Sequence, residues 1–204
     1  MHKLYAFDLD GTLALSKSRV SPFMSEAISA LLEKAEVCII SGGKFEQFDQ
    51  QLLAFLNSDS HLEKLHIMPT CGTRYYKWSG KKGSCKFEQV YARNLTDDEI
   101  EKSIQAIEYE AKRLGFWEEK TWGERIENRG SQITFSALGQ EAPVAQKERW
   151  DKSNAKKNKL AEAVTRHIPN LEVRSGGSTS IDITKKGIDK AYGMRELKKI
   201  TNID

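Results

Sequence analysis

Leu4-Tyr5-Ala6-Phe7-Asp8-Leu9-Asp10-Gly11-Thr12-Leu13 decides how the rest of the chain is read. The first four residues are an apolar run that predicts a short strand. Two carboxylates one residue apart at a strand end project toward the same side, because side chains alternate with a period of two. Gly11 then frees the backbone to turn. One such carboxylate could attack phosphorus, as in enzymes that form an aspartyl-phosphate, while its neighbour gives or takes a proton. A plain strand followed by an Asp-Gly turn would give the same stretch with no chemistry attached.

Working outward, Ser21-Pro22 has the form of an N-cap followed by proline at the first helical position. Ile28, Leu31, Leu32 and Ala35 then recur at helical spacing. Val37-Cys38-Ile39-Ile40 is a continuous apolar run, as expected of a parallel strand buried on both faces, and it ends in Ser41-Gly42-Gly43. A second helix is predicted with Phe45, Phe48, Leu52, Leu53 and Leu56 inward, and a third strand at His66 to Pro69. Strand-helix-strand-helix-strand predicts an α/β fold, a doubly wound, Rossmann-like parallel sheet whose ligands bind beyond the carboxyl ends of the strands. Asp8 and Ser41 both fall at such ends.

The pattern changes near Gly72. Arg74–Trp78 and 86–90 flank Ser79-Gly80-Lys81-Lys82-Gly83, which predicts a hairpin. Thr96-Asp97-Asp98-Glu99 is a capping box, and Ile100, Ile104, Ile107, Ala111 and Leu114 continue it as an amphipathic helix ending near Gly115. A strand at Ile133 to Phe135, a helix from Ala155 to Ile168, and short strands at Leu171 to Arg174 and Ser180 to Thr184 follow. This order predicts an α+β module on an antiparallel sheet, residues 75–184, inserted into a core made of residues 1–74 and 185–204.

Composition sets bounds. With 204 residues, 30% charged residues and 39% hydrophobic ones, the chain has the make-up of a soluble globular protein. A formal net charge of +3 is too mild to imply nucleic acid. The basic run Lys147, Arg149, Lys152, Lys156, Lys157 and Lys159 around Trp150 is expected to be a solvated helix face. No apolar stretch is long enough to span a membrane, and Met1-His2-Lys3 leaves no room for a signal peptide before the first strand. Cys38, Cys71 and Cys85 form no CxxC pair, which points to a reducing cytoplasm, with Cys38 a buried thiol. His2, His61, His66 and His167 have no metal-ligand spacing.

The Asp8-Leu9-Asp10-Gly11-Thr12 stretch resembles the signature of the haloacid dehalogenase superfamily, mostly phosphatases and phosphomutases. The resemblance implies that Asp8 is the nucleophile and Asp10 the general acid/base. It also implies a magnesium ion held by Asp8 and the backbone carbonyl of Asp10, and phosphate contacts from Thr12, Ser41 and Gly42. The superfamily keeps a lysine that offsets the charge of the phosphoryl group. Lys190, after Gly187-Ile188-Asp189, is the best match, with Lys185 and Lys186 nearby.

The inserted module resembles the cap of the branch that holds Cof-type sugar phosphatases and eukaryotic-type phosphomannomutases. Arg129 to Ser136 and Arg174 to Asp182 carry that likeness, which implies that Arg129, Ser180 and Asp182 are substrate ligands; an ordinary strand with alternating polar residues would fit as well. Gln140 and Lys147 stand where the mutases carry phosphate-binding arginines. Lysine lacks the two-pronged grip of a guanidinium and glutamine carries no charge, so a phosphatase is favoured over a mutase. The superfamily's fourth motif, a Gly-Asp pair after the lysine helix, has no match in this sequence. Fewer acidic ligands should weaken magnesium binding, so weak or absent turnover is expected, from a truncated chain or a degenerate relative. The expected partner is a small phosphorylated metabolite such as a sugar phosphate. A phosphomannomutase-like enzyme and a non-catalytic phosphometabolite-binding protein are the alternatives, and oligomeric state is left open.

Overall fold

The computed structural model describes residues 3–15, 17–57, 60–80, 87–177 and 179–201. Met1, His2, the hairpin turn expected at 81–83, Cys85, Lys86, Ser178 and the segment 202–204 lie outside the described residues. Two compact units form, Met1–Arg93 with Ile188–Asp204, and Asn94–Gly187.

In the first unit β1 (Leu4–Phe7), α1 (Pro22–Lys34), β2 (Glu36–Ile40), α2 (Phe45–Gln51) and β3 (Leu65–Met68) alternate. β1 and β3 each pair in parallel with β2. Ser21 caps α1, its Oγ accepting from Met24 N at 3.2 Å, and Pro22 needs no partner at the first position. The unbroken apolar run of β2 is explained by its two covered faces. Val37 and Ile39 pack with Ile28, Leu32, Phe48 and Leu52, from α1 and the α2 region, whereas Cys38 and Ile40 pack with Met68, Tyr75 and Leu197 on the opposite face. Leu197 belongs to the helix Lys190–Thr201, so helices cover both faces of the sheet. Burial pushes the Cys38 thiol up to about 12, leaving it an inert core residue.

β4 (Arg74–Trp78) and β5 (Phe87–Ala92) extend this same sheet antiparallel to β3, giving the order β1-β2-β3-β4-β5. The hairpin expected to open the inserted module therefore belongs to the first sheet, and the division falls after Arg93 and after Gly187 rather than after 74 and 184. The reason is pairing: β4 takes up the free edge of β3, and Phe87 joins the core beneath α1 and α2.

The second unit runs α3 (Asp97–Arg113), β6 (Ile126–Asn128), β7 (Ile133–Ser136), α4 (Val144–Trp150), α5 (Ala155–Thr165), β8 (Leu171–Ser175) and β9 (Ser180–Lys185). Its sheet has the order β6-β7-β9-β8, every pair antiparallel. Both bonds of the capping box form: Thr96 Oγ1 accepts from Glu99 N at 3.2 Å, and Glu99 Oε2 from Thr96 N at 2.7 Å. Ile133, Phe135, Ile181 and Ile183 line one sheet face, against Ile107 and Ala111 of α3 and Leu160 and Val164 of α5. Each such large side chain, fully buried, contributes about 1.5–3 kcal/mol. The basic run is not the uniform solvated face expected. It is broken into α4 and α5, and Lys157 is buried, its ammonium donating to Gly177 O at 2.7 Å. The chain then returns to the first unit as α6 (Lys190–Thr201). Among the described residues no helix is long and apolar enough to cross a membrane.

Beside Cys38, His66 is fully buried between Glu36 Oε2, 2.7 Å from Nε2, and the Tyr75 hydroxyl, 2.8 Å from Nδ1. A carboxylate can only accept, so the neutral ring carries its proton on Nε2 and accepts from Tyr75 at Nδ1. Burial pushes the His66 pKa below the usual imidazole value; Glu36 opposes the shift and Lys77 adds to it. The unfolded chain, with an ordinary imidazole pKa of about 6.5, binds the proton first as pH falls. This contribution to stability is therefore complete above about pH 6.5 and is lost as the pH drops below it. Urea midpoints should fall from pH 7.5 to pH 5.5, and His66→Gln should flatten that difference. An equal pH dependence in the variant would show that His66 is not the source.

Candidate active site

β1 stops at Phe7, so Asp10 lies in the turn rather than on the strand. The turn is wound on one carbonyl, Leu9 O, which accepts from Leu13 N at 3.0 Å and Ala14 N at 3.1 Å. Gly11 adopts φ +77°, a conformation that side chains disfavour, and its N–H donates to Ala14 O at 2.7 Å. Leu9 and Leu13 anchor the loop in the core. The acidic side chains between them are left to polar partners.

Those partners differ. Asp8 Oδ1 accepts from Leu9 N at 2.8 Å, and Asp8 Oδ2 receives the ammonium of Lys190. Asp10, among the described residues, is held by neutral donors instead. Its Oδ1 accepts from Lys17 N at 2.9 Å and Gln51 Nε2 at 3.2 Å, and its Oδ2 from Gln47 Nε2 at 2.7 Å. Lys190 is aimed by the start of α6, where Asp189 Oδ1 accepts from Tyr192 N at 2.6 Å as an N-cap. Of the three basic candidates it is the one brought to Asp8; Lys185 lies instead 3.9 Å from Glu99 in the second unit.

Ser41 follows β2 directly and is buried. Its N–H donates to Met68 O at 3.3 Å and its carbonyl accepts from Cys71 N at 2.9 Å, while Gly43 O accepts from Thr70 N at 2.9 Å. The Ser41–Gly43 loop is thus tied to the turn that follows β3. In that turn Thr70, Cys71 and Gly72 have φ of 47°, 55° and 82°, three left-handed residues in succession. Such strain persists only where surrounding contacts enforce it. Thr12 is exposed beside Gly11 at the same end of the sheet, and Gly42 lies between Ser41 and Gly43.

The remaining candidates lie in the second unit. Arg129 Nε and Nη2 both donate to Glu127 Oε2, at 2.9 and 2.7 Å. Thr134 Oγ1 and Gln132 Nε2 donate to Asp182 Oδ1 at 2.7 and 2.9 Å. Burial pushes the Asp182 carboxyl up, against the pull of Thr134, Arg129 and Gln132. Pairing register aligns Glu127, Thr134, Asp182 and Arg174 in one cross-strand row. This row lies on the face opposite Ile181 and Ile183, and Gly176 N donates to Ser180 O at 2.8 Å beside it. A side chain at Gly176 would meet Ser180 Oγ and Asp182 Oδ2 at 2.8 Å, so only glycine lets that loop lie so close.

Two elements were not foreseen from sequence. Gln47 and Gln51 of α2 reach Asp10, and the left-handed turn 70–72 braces Ser41. Gln51 did leave a trace, a polar residue on the helix face that also carries the buried Phe48. For a hard cation the site offers oxygens at Asp8, whose carboxylate is engaged by Leu9 N and Lys190, and at Asp10; among the described residues no cluster of three or more His, Cys, Asp or Glu side chains joins them.

A sequence model of the haloacid dehalogenase-like hydrolases matches residues 5–204. The phosphomannomutase of Encephalitozoon cuniculi is 24% identical over 205 residues, covering 96% of this chain and 75% of the relative. Among solved structures, the IMP-nucleotidase of Plasmodium falciparum superposes with a TM-score of 0.71 at 16% identity, over all of this chain. The chain spans 57% of that nucleotidase's length. A haloacid dehalogenase-like hydrolase from Bacteroides thetaiotaomicron gives a TM-score of 0.63 at 17% identity, covering 100% of this chain and 78% of its own. At such identities the structural likeness establishes the fold.

Proposed function

The chain belongs to the haloacid dehalogenase-like hydrolases, and from that membership we propose that it is a magnesium-dependent phosphohydrolase of a small phosphorylated metabolite, of the sugar phosphate class. The observation that carries this reading is the unequal surroundings of the two carboxylates. Asp8 is paired with Lys190, and Asp10, two residues on, is held by neutral amides. A carboxylate beside a cation suits a nucleophile, and a second one held by neutral amides suits a proton carrier.

In the first step an Asp8 oxygen attacks phosphorus, the bond from phosphorus to the leaving oxygen breaks, and Asp10 delivers its proton to that oxygen. In the second step water attacks the aspartyl-phosphate, Asp10 takes the proton from the water, and the Asp8–phosphorus bond breaks to release inorganic phosphate. Lys190 offsets the negative charge gathered around Asp8 and the phosphoryl oxygens. The buried Ser41, with the loop amides beside it, is placed to receive those oxygens. The Asp8 carboxylate and the Asp10 carbonyl are hard oxygen donors that would hold a magnesium ion, which would supply further positive charge to the phosphoryl group.

A second reading, phosphomutase, draws support from the phosphomannomutase relative and from the polar row around Arg129, Ser180 and Asp182. One experiment separates them. The purified chain is incubated with magnesium and a panel of hexose and pentose monophosphates, with and without a sugar bisphosphate, while inorganic phosphate and positional isomers are both measured. Slow phosphate release without bisphosphate is the expected result, since acidic metal ligands are few, with a phosphoryl adduct on the peptide carrying Asp8 after acid quenching. Isomerisation that depends on bisphosphate would establish the mutase instead. Saturable binding with neither product would overturn both in favour of a binding protein.

A further inference from the structure

We propose that Gln47 and Gln51 are positioning residues for Asp10, forming a neutral clamp that aims one of its two oxygens at the leaving group. This deepens the proposed reading and rests on it for the chemistry, though not for the geometry. Gln47 Nε2 donates to Asp10 Oδ2 at 2.7 Å and to Gln51 Oε1 at 2.9 Å. Gln51 Nε2 donates to Asp10 Oδ1 at 3.2 Å and to Ser18 O at 2.7 Å. Carboxylates and carbonyls only accept, so neither carboxamide can be flipped without losing its partners. Asp10, Gln47 and Gln51 close a ring, and with Ser18 O outside it every amide hydrogen is used.

The spacing that allows this is elementary. Residues four apart on a helix lie on one face, so α2 presents both glutamines to the same side, one turn apart. Phe48 and Leu52, both fully buried, fix the helix in the core, and Gln51 is itself 4% exposed. The clamp is therefore mounted on a rigid element rather than on the turn that carries Asp10. Lys17 N completes the hold on Oδ1. Counting lone pairs, Oδ1 accepts two hydrogen bonds and Oδ2 one among the described residues, so Oδ2 is the oxygen with capacity left for the transferred proton. A glutamate at 47 would have no donor to offer, and a cation there would compete for the carboxylate itself. The amide holds the oxygen and leaves it a lone pair for chemistry.

A positioning role has a signature that loss of folding lacks. Aryl phosphates with an acidic phenol as leaving group need little proton delivery, whereas alkyl phosphates depend on it. In Gln47→Met, which keeps length and removes both donors, kcat/KM for an alkyl phosphate should fall by about tenfold to a hundredfold. For p-nitrophenyl phosphate it should change by less than about threefold. Glu46→Gln, on the exposed side of α2, serves as the unaffected control. An equal fall on both substrates, or no change on either, overturns the proposal. The clamp is also read without turnover. In the chain labelled with nitrogen-15, the side-chain amides of Gln47 and Gln51 should be dispersed and slow to exchange, and Asp10→Ala should return them to free-amide values. Amides indifferent to Asp10→Ala overturn the clamp, and a clamp confirmed in a chain that hydrolyses neither substrate places the failure on the reaction instead.

Discussion

Asp8→Asn is expected to lower the rate of phosphate release by at least about a thousandfold while leaving the fold in place. The loss is large because the carboxylate is the attacking group, and an amide oxygen in the same position forms no stable ester with phosphorus. The structural effect is small for a separate reason. Asp8 is linked to the rest of the protein through Leu9 N and the Lys190 ammonium, and asparagine keeps an oxygen for the first of these. The ion pair lost is exposed by 33% on the Asp8 side and 45% on the Lys190 side. Pairs that wet contribute no more than about 1 kcal/mol. Thermal unfolding should therefore shift by a few degrees at most. Rates with several monophosphates, measured beside the unfolding curve, check both halves. Residual activity above about a tenth of the starting value would exclude Asp8 as the nucleophile, and a collapse of stability would mean that its role is to hold α6.

What could be read in advance depended on whether the cause was local. Val37 to Ile40 announced a strand covered on both faces, because an unbroken apolar run has no other economical burial, and β2 is so covered. Ser21-Pro22 and the Thr96–Glu99 box fixed two helix starts, because capping involves residues three apart. Which sheet the Arg74–Trp78 hairpin would join was not local. Its alternation describes a strand, and the choice was made by the free edge of β3. β6 has three residues, too few for a periodicity, and α4 was submerged in the basic run that continues into α5. At the site, the juxtaposition of Asp8 and Lys190, 182 positions apart, was expected only through a family likeness. Gln47 and Gln51 have no motif at all. Glutamine acquires a role from what it faces, and Asp10 faces α2 only once the sheet is assembled.

Gly72→Ala is expected to cost about 2–5 kcal/mol, a large part of the 5–15 kcal/mol that holds a typical protein together. Two causes add. Gly72 has φ +82°, where a β-carbon costs about 1–2 kcal/mol. That β-carbon would also lie 2.3 Å from the α-carbon of Gly193 and 3.3 Å from its nitrogen. Both atoms are backbone of α6 and cannot rotate away, so the helix or the 70–72 turn must move. Neither moves alone. Tyr91 Oη donates to Gly72 O at 2.8 Å, and Cys71 N is bound to Ser41 O. The contact can also be probed from its other side. In Gly193→Ala the new methyl meets Ile40 Cδ1 at 2.4 Å and the backbone of the 70–72 turn, Cys71 O at 2.8 Å and Gly72 Cα at 3.0 Å. Alanine gains about 1 kcal/mol over glycine within a helix, which offsets only part of that clash. Because Lys190 lies one turn before Gly193 on α6, displacing that helix also draws the ammonium from Asp8. Gly72→Ala should therefore lower kcat as well as the urea midpoint, even at temperatures where the protein remains folded. Stability within about 1 kcal/mol of the parent would show that the glycine contact yields freely. Unchanged kcat in a destabilised variant would show that Lys190 follows Asp8 wherever α6 sits.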